Sequence, residues 1–468
     1  MRDAAEFEGV MRYHERTKHH FICFAREPLL STDQRLAAAR LAPVLHRENR
    51  MRTLIFILAA ALATAVQAAP QEQVWSLAQK EKPAAIETLR ELVNIESGSR
   101  DKEGLDRLAA HLGERLAALG AKVEFYEPNS ADTYRLFDTP KDIGKVVVGR
   151  FQGSGARRIM LLAHMDTVYP RGTLAKRPFR IEGARAYGPG IADDKGGVAL
   201  ILHTLAMLKA MDYRGYGTLS VVISGDEEIS SPGARAFIQR AGAEHDFVFS
   251  CEPSLATKAG EIALATSGIG QATLMVRGKS AHAGVNPELG RNAIVELAHQ
   301  ILQTSDLSDA GSRIKFNWTL ASGGQTRNVI PELATASADV RVNRIADFDV
   351  IEKRFRERVK KQRIADAQVE AGFERRRAPL VATDASRALA RRAQAVYAEL
   401  GLKLPVDESG NGGGTDAAFA AASGKPAVAE SFGFAGFGYH SSEEEYVELD
   451  SIEPRLYLMT RLIMDASR

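Results

Sequence analysis

Three apolar runs in this chain end on side chains that can hold a cation or move a proton. Residues 159–163 (Ile-Met-Leu-Leu-Ala) lead into His164-Met165-Asp166. Residues 219–223 lead into Gly225-Asp226-Glu227-Glu228, and 247–249 into Cys251-Glu252-Pro253. A further acidic pair, Asp193-Asp194, follows the loop Tyr187-Gly188-Pro189-Gly190. Imidazole and carboxylate donors without a cysteine set suit a hard-to-borderline divalent ion such as zinc. His164 and Asp166 share one face of a strand, so the histidine reads as a ligand and the aspartate as acceptor of its second ring N–H. Glu227 and Glu228 point in different directions. One can hold metal while the other takes a proton from a metal-activated water and passes it to a leaving amine.

Each motif also has a plain reading. His-x-Asp is too short to be specific, Glu-Glu is commonly a solvated turn, and Asp194 can be a simple N-cap. Their coincidence carries the argument, because open α/β sheets bind ligands beyond the carboxyl ends of their strands.

The elements that position these residues follow from periodicity. Continuous apolar runs fit strands buried on both faces of a mostly parallel sheet under helices. Val198, Ile201, Leu202, Leu205 and Leu208 recur at helical spacing, so the acidic pair sits at a helix start, where N–H groups favour negative charge. Helices are expected over 74–93 and 105–119, the second stopped by Gly120, with strands near 123–125 and 145–149. From Gly268 the pattern alternates: 272–276, 316–320 and 334–342 read as strands, 294–301 and 348–359 as helices, and 369–373 as a last strand. The order β-α-β-β-α-β is the ferredoxin-like split unit, with one solvated sheet face. A helix over 386–400 ends at Gly401. Gly412-Gly413-Gly414-Thr415-Asp416 precedes another near Ala417, whose first N–H groups suit a carboxylate. It lacks the Gly-Lys-Ser/Thr ending of a nucleotide loop. Glu443-Glu444-Glu445 reads as a solvated acidic turn.

With 468 residues, two domains are expected: a catalytic one over 74–266 and 380–468, and an insert over 267–379. The net charge of +2 gives no bulk attraction to nucleic acid or membrane. Met51-Arg52 before the apolar run 54–66, with small residues to Ala68, reads as a signal peptide over 51–68. Residues 1–50 then read as a non-native upstream extension. The mature chain is expected in the periplasm or outside the cell, starting near Ala69, with Cys251 as its one cysteine and no disulfide within the chain.

The motifs GPGIADDKGG, GDEE, CEPS, GGGTDAAF and GFGYHS resemble the co-catalytic dizinc aminoacylase and carboxypeptidase family, from about Trp75 to the C-terminus. That family includes acetylornithine deacetylases, succinyl-diaminopimelate desuccinylases and glutamate carboxypeptidases, and the likeness is greatest to the last. The resemblance implies an α/β zinc-hydrolase domain with a ferredoxin-like α+β dimerisation insert, and a homodimer. It implies two zinc ions bridged by Asp193 and a water or hydroxide, with His164 and Glu252 on one ion and Glu228 and His440 on the other. Glu227 would be general base and acid, Asp166 would support His164, and the Asp193–Asp194 peptide would be cis. His282 would reach the partner's site and stabilise the oxyanion. Asn328, Arg341 and Arg377, with Gly414 and Thr415, would bind the substrate carboxylate. For each arginine a surface salt bridge is the plain alternative, more so for Arg377. The implied reaction is hydrolysis of an amide to release a C-terminal amino acid, glutamate above all, from peptides or N-acyl compounds such as folates. Deacylation of other N-acyl amino acids and dipeptide cleavage are the alternatives on this scaffold.

Overall fold

A computed structural model describes residues 69–254, 260–410, 412–441 and 444–468. The expected leader, 51–68, and the upstream 1–50 lie outside the described residues. No helix among the described residues is long and apolar enough to cross a membrane.

The chain opens with helices α1 (Glu72–Val93) and α2 (Lys102–Leu119). The Asp101 side chain caps α2 by accepting from Gly104 N, and Gly120 closes it with a left-handed φ of 103°. Strands β1 (Lys122–Tyr126), β2 (Val146–Gln152) and β3 (Arg158–His164) follow. Then come α3 (Lys195–Ala210), β4 (Thr218–Ser224), α4 (Arg235–Glu244) and β5 (Phe247–Ser250).

A second sheet is built from β6 (Gly268–Arg277), α5 (Ala293–Thr304), β8 (Lys315–Gly323), β10 (Leu333–Val342), α6 (Ile345–Arg358) and β11 (Gln368–Arg377). Two short strands, β7 (Ala281–His282) and β9 (Val329–Ile330), pair as an antiparallel ribbon beside it. The chain returns through α7 (Asp384–Glu399) and β12 (Ala427–Ala429) and ends in α8 (Ile452–Ala466).

The first sheet has the order β1-β2-β4-β3-β5-β12. β3 pairs parallel with β4 and β5, and β12 parallel with β5. Only β2 runs the other way, antiparallel to both neighbours. Inside the edge strand β1, whose residues are exposed or half-buried, the sheet is buried on both faces, as its continuous apolar runs require. Ile159, Leu161 and Ala163 face the larger core with α1, α3 and α8 residues, while Met160 and Leu162 face the core under α4. The second sheet, order β8-β10-β6-β11, is antiparallel throughout. Its strands alternate buried and half-buried residues, and Leu274, Val276, Phe316, Val340, Phe348 and Phe355 form its own core.

One element departs from expectation. The glycine-rich stretch does not open a long helix: Ala417–Ala420 is a single turn followed by a 3-10 turn. The small-residue run there packs tightly against α4 instead, where Gly242 leaves no room for a side chain beside the Ala420 backbone.

Candidate metal centre

The parallel strands deliver their last residues to one edge of the sheet. His164 ends β3, Glu227 and Glu228 form a 3-10 turn after β4, and Glu252 lies two residues beyond β5. Asp193 comes from the loop before α3. His440 comes from a bend in which Gly438 and His440 have φ of 83° and 53°.

Two groups of potential ligands result, each with its donor atoms within 4.8 Å of one another: His164, Asp193 and Glu252, and Asp193, Glu228 and His440. Asp193 belongs to both. Its Oδ1 lies 3.0 Å from His164 Nε2 and its Oδ2 3.4 Å from His440 Nε2. His164 Nε2 is also 3.6 Å from Glu252, and His440 Nε2 is 3.0 Å from Glu228. One carboxylate thus faces two imidazoles with different oxygens.

The electrostatics of this donor set ask for cations. Burial, then the charge of Asp193, pushes the Glu228 carboxyl up to about 8. Burial also drives Glu252 well above its usual range. The hydrogen bond to Glu228 lifts His440 to about 9. Carboxylates crowded together out of water resist ionisation unless positive charge joins them. Two imidazoles and three carboxylates, with no cysteine among them, fit two divalent ions of the zinc type.

The residues around the centre fix it. His164 Nδ1 lies 3.0 Å from the Asp166 carbonyl oxygen and 3.4 Å from its carboxylate. The carboxylate accepts from Ser99 Oγ and from the backbone N–H of Glu227 and Glu228. Asp166 therefore ties the histidine to the glutamate turn rather than only orienting the ring. Asp194 is indeed the N-cap of α3, with Oδ1 accepting from Gly197 N, and its Oδ2 accepts from His164 N. The Asp193–Asp194 peptide is cis.

The acidic-turn expectation fails at its last residue. Glu444 is exposed and pairs with Arg180, but Glu445 is 3% exposed and accepts from the N–H groups of Gly190, Ala192 and Asp193. It clamps the loop that presents Asp193. The pairing of Tyr446–Glu448 with Arg185–Tyr187 brings it there, and no local pattern signals that contact.

A cavity of about 190 Å3 opens over the centre, lined by Glu227, Glu228, Glu252, Arg341, Gly414 and His440 among others. Thr415 also lines it, but its hydroxyl donates to the buried Glu430. Arg341 reaches the cavity with Nε and Nη2 on Asp339 and Nη1 on Gly412 O.

Arg377 corrects its plain reading: it is 2% exposed, so it is no surface salt bridge. It lines the same cavity, and its terminal nitrogens donate to Glu227, Gly414 O, Ser231 Oγ and Asp416. The strand-end position of 377, where β11 re-enters the first core, buries it. Burial then demands that its charge be matched.

His282 and Asn328 lie apart from this cavity, exposed on the β7–β9 ribbon. His282 Nδ1 accepts from Gly284 N and Val285 N, so a neutral ring carries its proton on Nε2, pointing away from the turn.

A family model described as peptidase family M20/M25/M40 matches residues 160–465. The chain is 44% identical over 416 residues to carboxypeptidase G2 of a Pseudomonas species, covering 87% of this chain and 97% of that protein. Its fold is similar to that of an M20 family metallo-carboxypeptidase from Sulfolobus solfataricus, with TM-score 0.66 and 16% identity over 82% of this chain and 99% of that one. It is also similar to a dinuclear metal-binding M20 peptidase from Bacillus subtilis, with TM-score 0.55 and 18% identity over 82% and 99%.

Proposed function

The chain belongs to peptidase family M20/M25/M40, and from that premise we propose a dizinc carboxypeptidase that releases C-terminal glutamate from peptides or N-acyl compounds such as folates. The observation that carries this reading is Asp193, shared by two ligand groups with Glu227 beside them. His164, Asp193 and Glu252, and Asp193, Glu228 and His440, would hold two zinc ions, which would supply an activated water and Lewis acidity toward the amide carbonyl.

The chain's own residues do the rest. Glu227 removes a proton from the attacking water and delivers it to the leaving nitrogen as the C–N bond breaks. Asp166 holds the backbone of Glu227 and Glu228 in place. Arg377 keeps Glu227 oriented from behind. Arg341, with the Gly414–Thr415 backbone, receives the carboxylate of the departing residue.

Residues 267–379 serve as a dimerisation insert between catalytic segments 74–266 and 380–468. His282 and Asn328 then reach the partner's cleft, and the outward Nε2–H of His282 becomes an oxyanion donor. Exposed Leu302 and Leu320, at 73% and 68%, support an interface on this module. The leader at 51–68 sends the protein to the periplasm or beyond.

Zinc-loaded protein offered N-acyl-glutamates, N-acyl-aspartates and dipeptides should release glutamate with the highest kcat/KM. Preference for another panel member would favour the deacylase or dipeptidase alternative, and no amide cleavage at all would overturn the assignment. Sedimentation should give a dimer, and N-terminal sequencing of native protein should begin near Ala69.

A further inference from the structure

Arg455, on α8, takes no part in the steps above. It is 0% exposed, and no carboxylate pairs with it among the described residues. Its guanidinium donates to neutral oxygens instead: Ser254 Oγ, Glu261 O at 2.8 Å and Ser431 O at 3.4 Å. Its Cζ lies 5.6 Å from the centre of the Tyr397 ring. Taking a charge out of water without a counter-ion is costly, so a guanidinium kept in this state marks a place where its planar fork of donors is needed.

The oxygens it joins belong to the two segments that carry Glu252. That residue lies beyond the end of β5, and its backbone rests on residues 431–436. Phe432 N donates to Ser250 O, Gly433 N to Glu252 O, and Ser254 N to Phe434 O. Gly433 has no room for a side chain beside Cys251 O and Glu252 O. Arg455 spans this arrangement, with Nη1 on Ser431 O of the supporting segment and Nη2 on Ser254 and Glu261 of the supported one. Ser254 Oγ also donates to Glu261 O and accepts from Glu261 N. A Cβ on Gly260 would overlap Arg455 Nη2 and Ser254 Oγ, so this close approach requires the glycine, whose φ is 78°. None of these bonds reaches the Glu228 turn or the His440 bend. Resting on the dizinc reading above, we propose that Arg455 is a positioning residue for Glu252. It fixes the segment that presents this ligand and so sets the affinity for the ion of His164, Asp193 and Glu252, and not for the ion of Asp193, Glu228 and His440.

The test isolates each ion and reads zinc affinity by competition with a chromophoric chelator. His440→Ala protein keeps the first ligand group whole, and Glu252→Ala protein the second. Adding Arg455→Met to His440→Ala should weaken zinc binding by ~10–100-fold, as for a lost outer partner of a ligand. Adding it to Glu252→Ala should leave the affinity unchanged. Arg455→Lys keeps the charge but not the fork, and should give an intermediate loss in the first background alone. Ser254→Ala removes one of the three acceptors and should give a smaller loss in that same background, which keeps the test alive if Arg455→Met does not fold. Equal weakening in both backgrounds would make Arg455 a general stabiliser and overturn the proposal, as would unchanged affinity in both. Wild-type protein that binds fewer than two zinc ions per chain would instead overturn the dizinc reading.

Discussion

The cluster at the strand ends and the β7–β9 ribbon carry the same kinds of side chain in opposite conditions. His164 is 1% exposed, held at both ring nitrogens, and its neighbours are cross-tied by Asp166, Asp194 and Glu445. His282 is exposed, and its ring Nδ1 accepts from the turn that follows it. The first region is assembled by one chain. The second presents a donor outward, with no counterpart in the cavity over the centre. The contrast is that folding of one chain sets the geometry of the candidate metal centre, whereas the ribbon's contribution, under the function proposed above, needs a second copy.

The largest effect should come from the cluster. Glu227→Ala should retain both metals yet lose roughly a hundred- to ten-thousand-fold in kcat. Near-normal turnover would remove the residue from proton transfer. His282→Ala should also retain metal and lose on the order of a hundredfold in kcat, as for removal of an oxyanion donor. Mixed with Glu227→Ala protein, it should regain part of the activity through hybrid dimers. Failure of that rescue would break the comparison by confining His282 to its own chain.

A smaller effect sharpens the cluster side. Glu445→Ala strands three buried N–H groups on the Asp193 loop, and metal affinity should fall by ~10–100-fold in a competition titration, as for lost outer partners of a ligand. Unchanged affinity would show the loop holds without its clamp. Chelation leaves the sequence unchanged and is read on stability alone. Withdrawing ions present at a hundredfold over their Kd should cost about 2.7 kcal/mol each, read as a Tm drop of several degrees. Hydrogen exchange should speed up at the strand ends and stay constant in the second sheet. Uniform acceleration would mean that the two regions are not independent.

Much of this was legible in the residues. Strands buried on both faces must be apolar throughout, so β3, β4 and β5 were visible with the candidate ligands at or just beyond their ends. Alternation exposed the second sheet for the opposite reason, since its strands bury one face only. Short-range order also marked Asp194 as a cap and Gly120 as a stop.

Contacts between distant segments were not legible. Nothing near Glu445 distinguishes it from Glu444, because its role depends on a strand pairing 255 residues away from Gly190. Arg377 sits in a run of three arginines whose fates differ. Arg375 pairs with surface acids, Arg376 with Gln271 and Glu374, and Arg377 with Glu227. Strand register and the bulge between 375 and 377 decide this, and neither has a local signature.

Adjacent residues Asp193 and Asp194 work on opposite sides of one loop. The first faces the cleft; the second fastens the opening turn of α3 and the end of β3. Loosening that turn would slacken the floor of the cleft at once. Heat should therefore silence the enzyme before the rest of the molecule melts, and an additive that firms up the start of α3 should prolong working life without touching substrate.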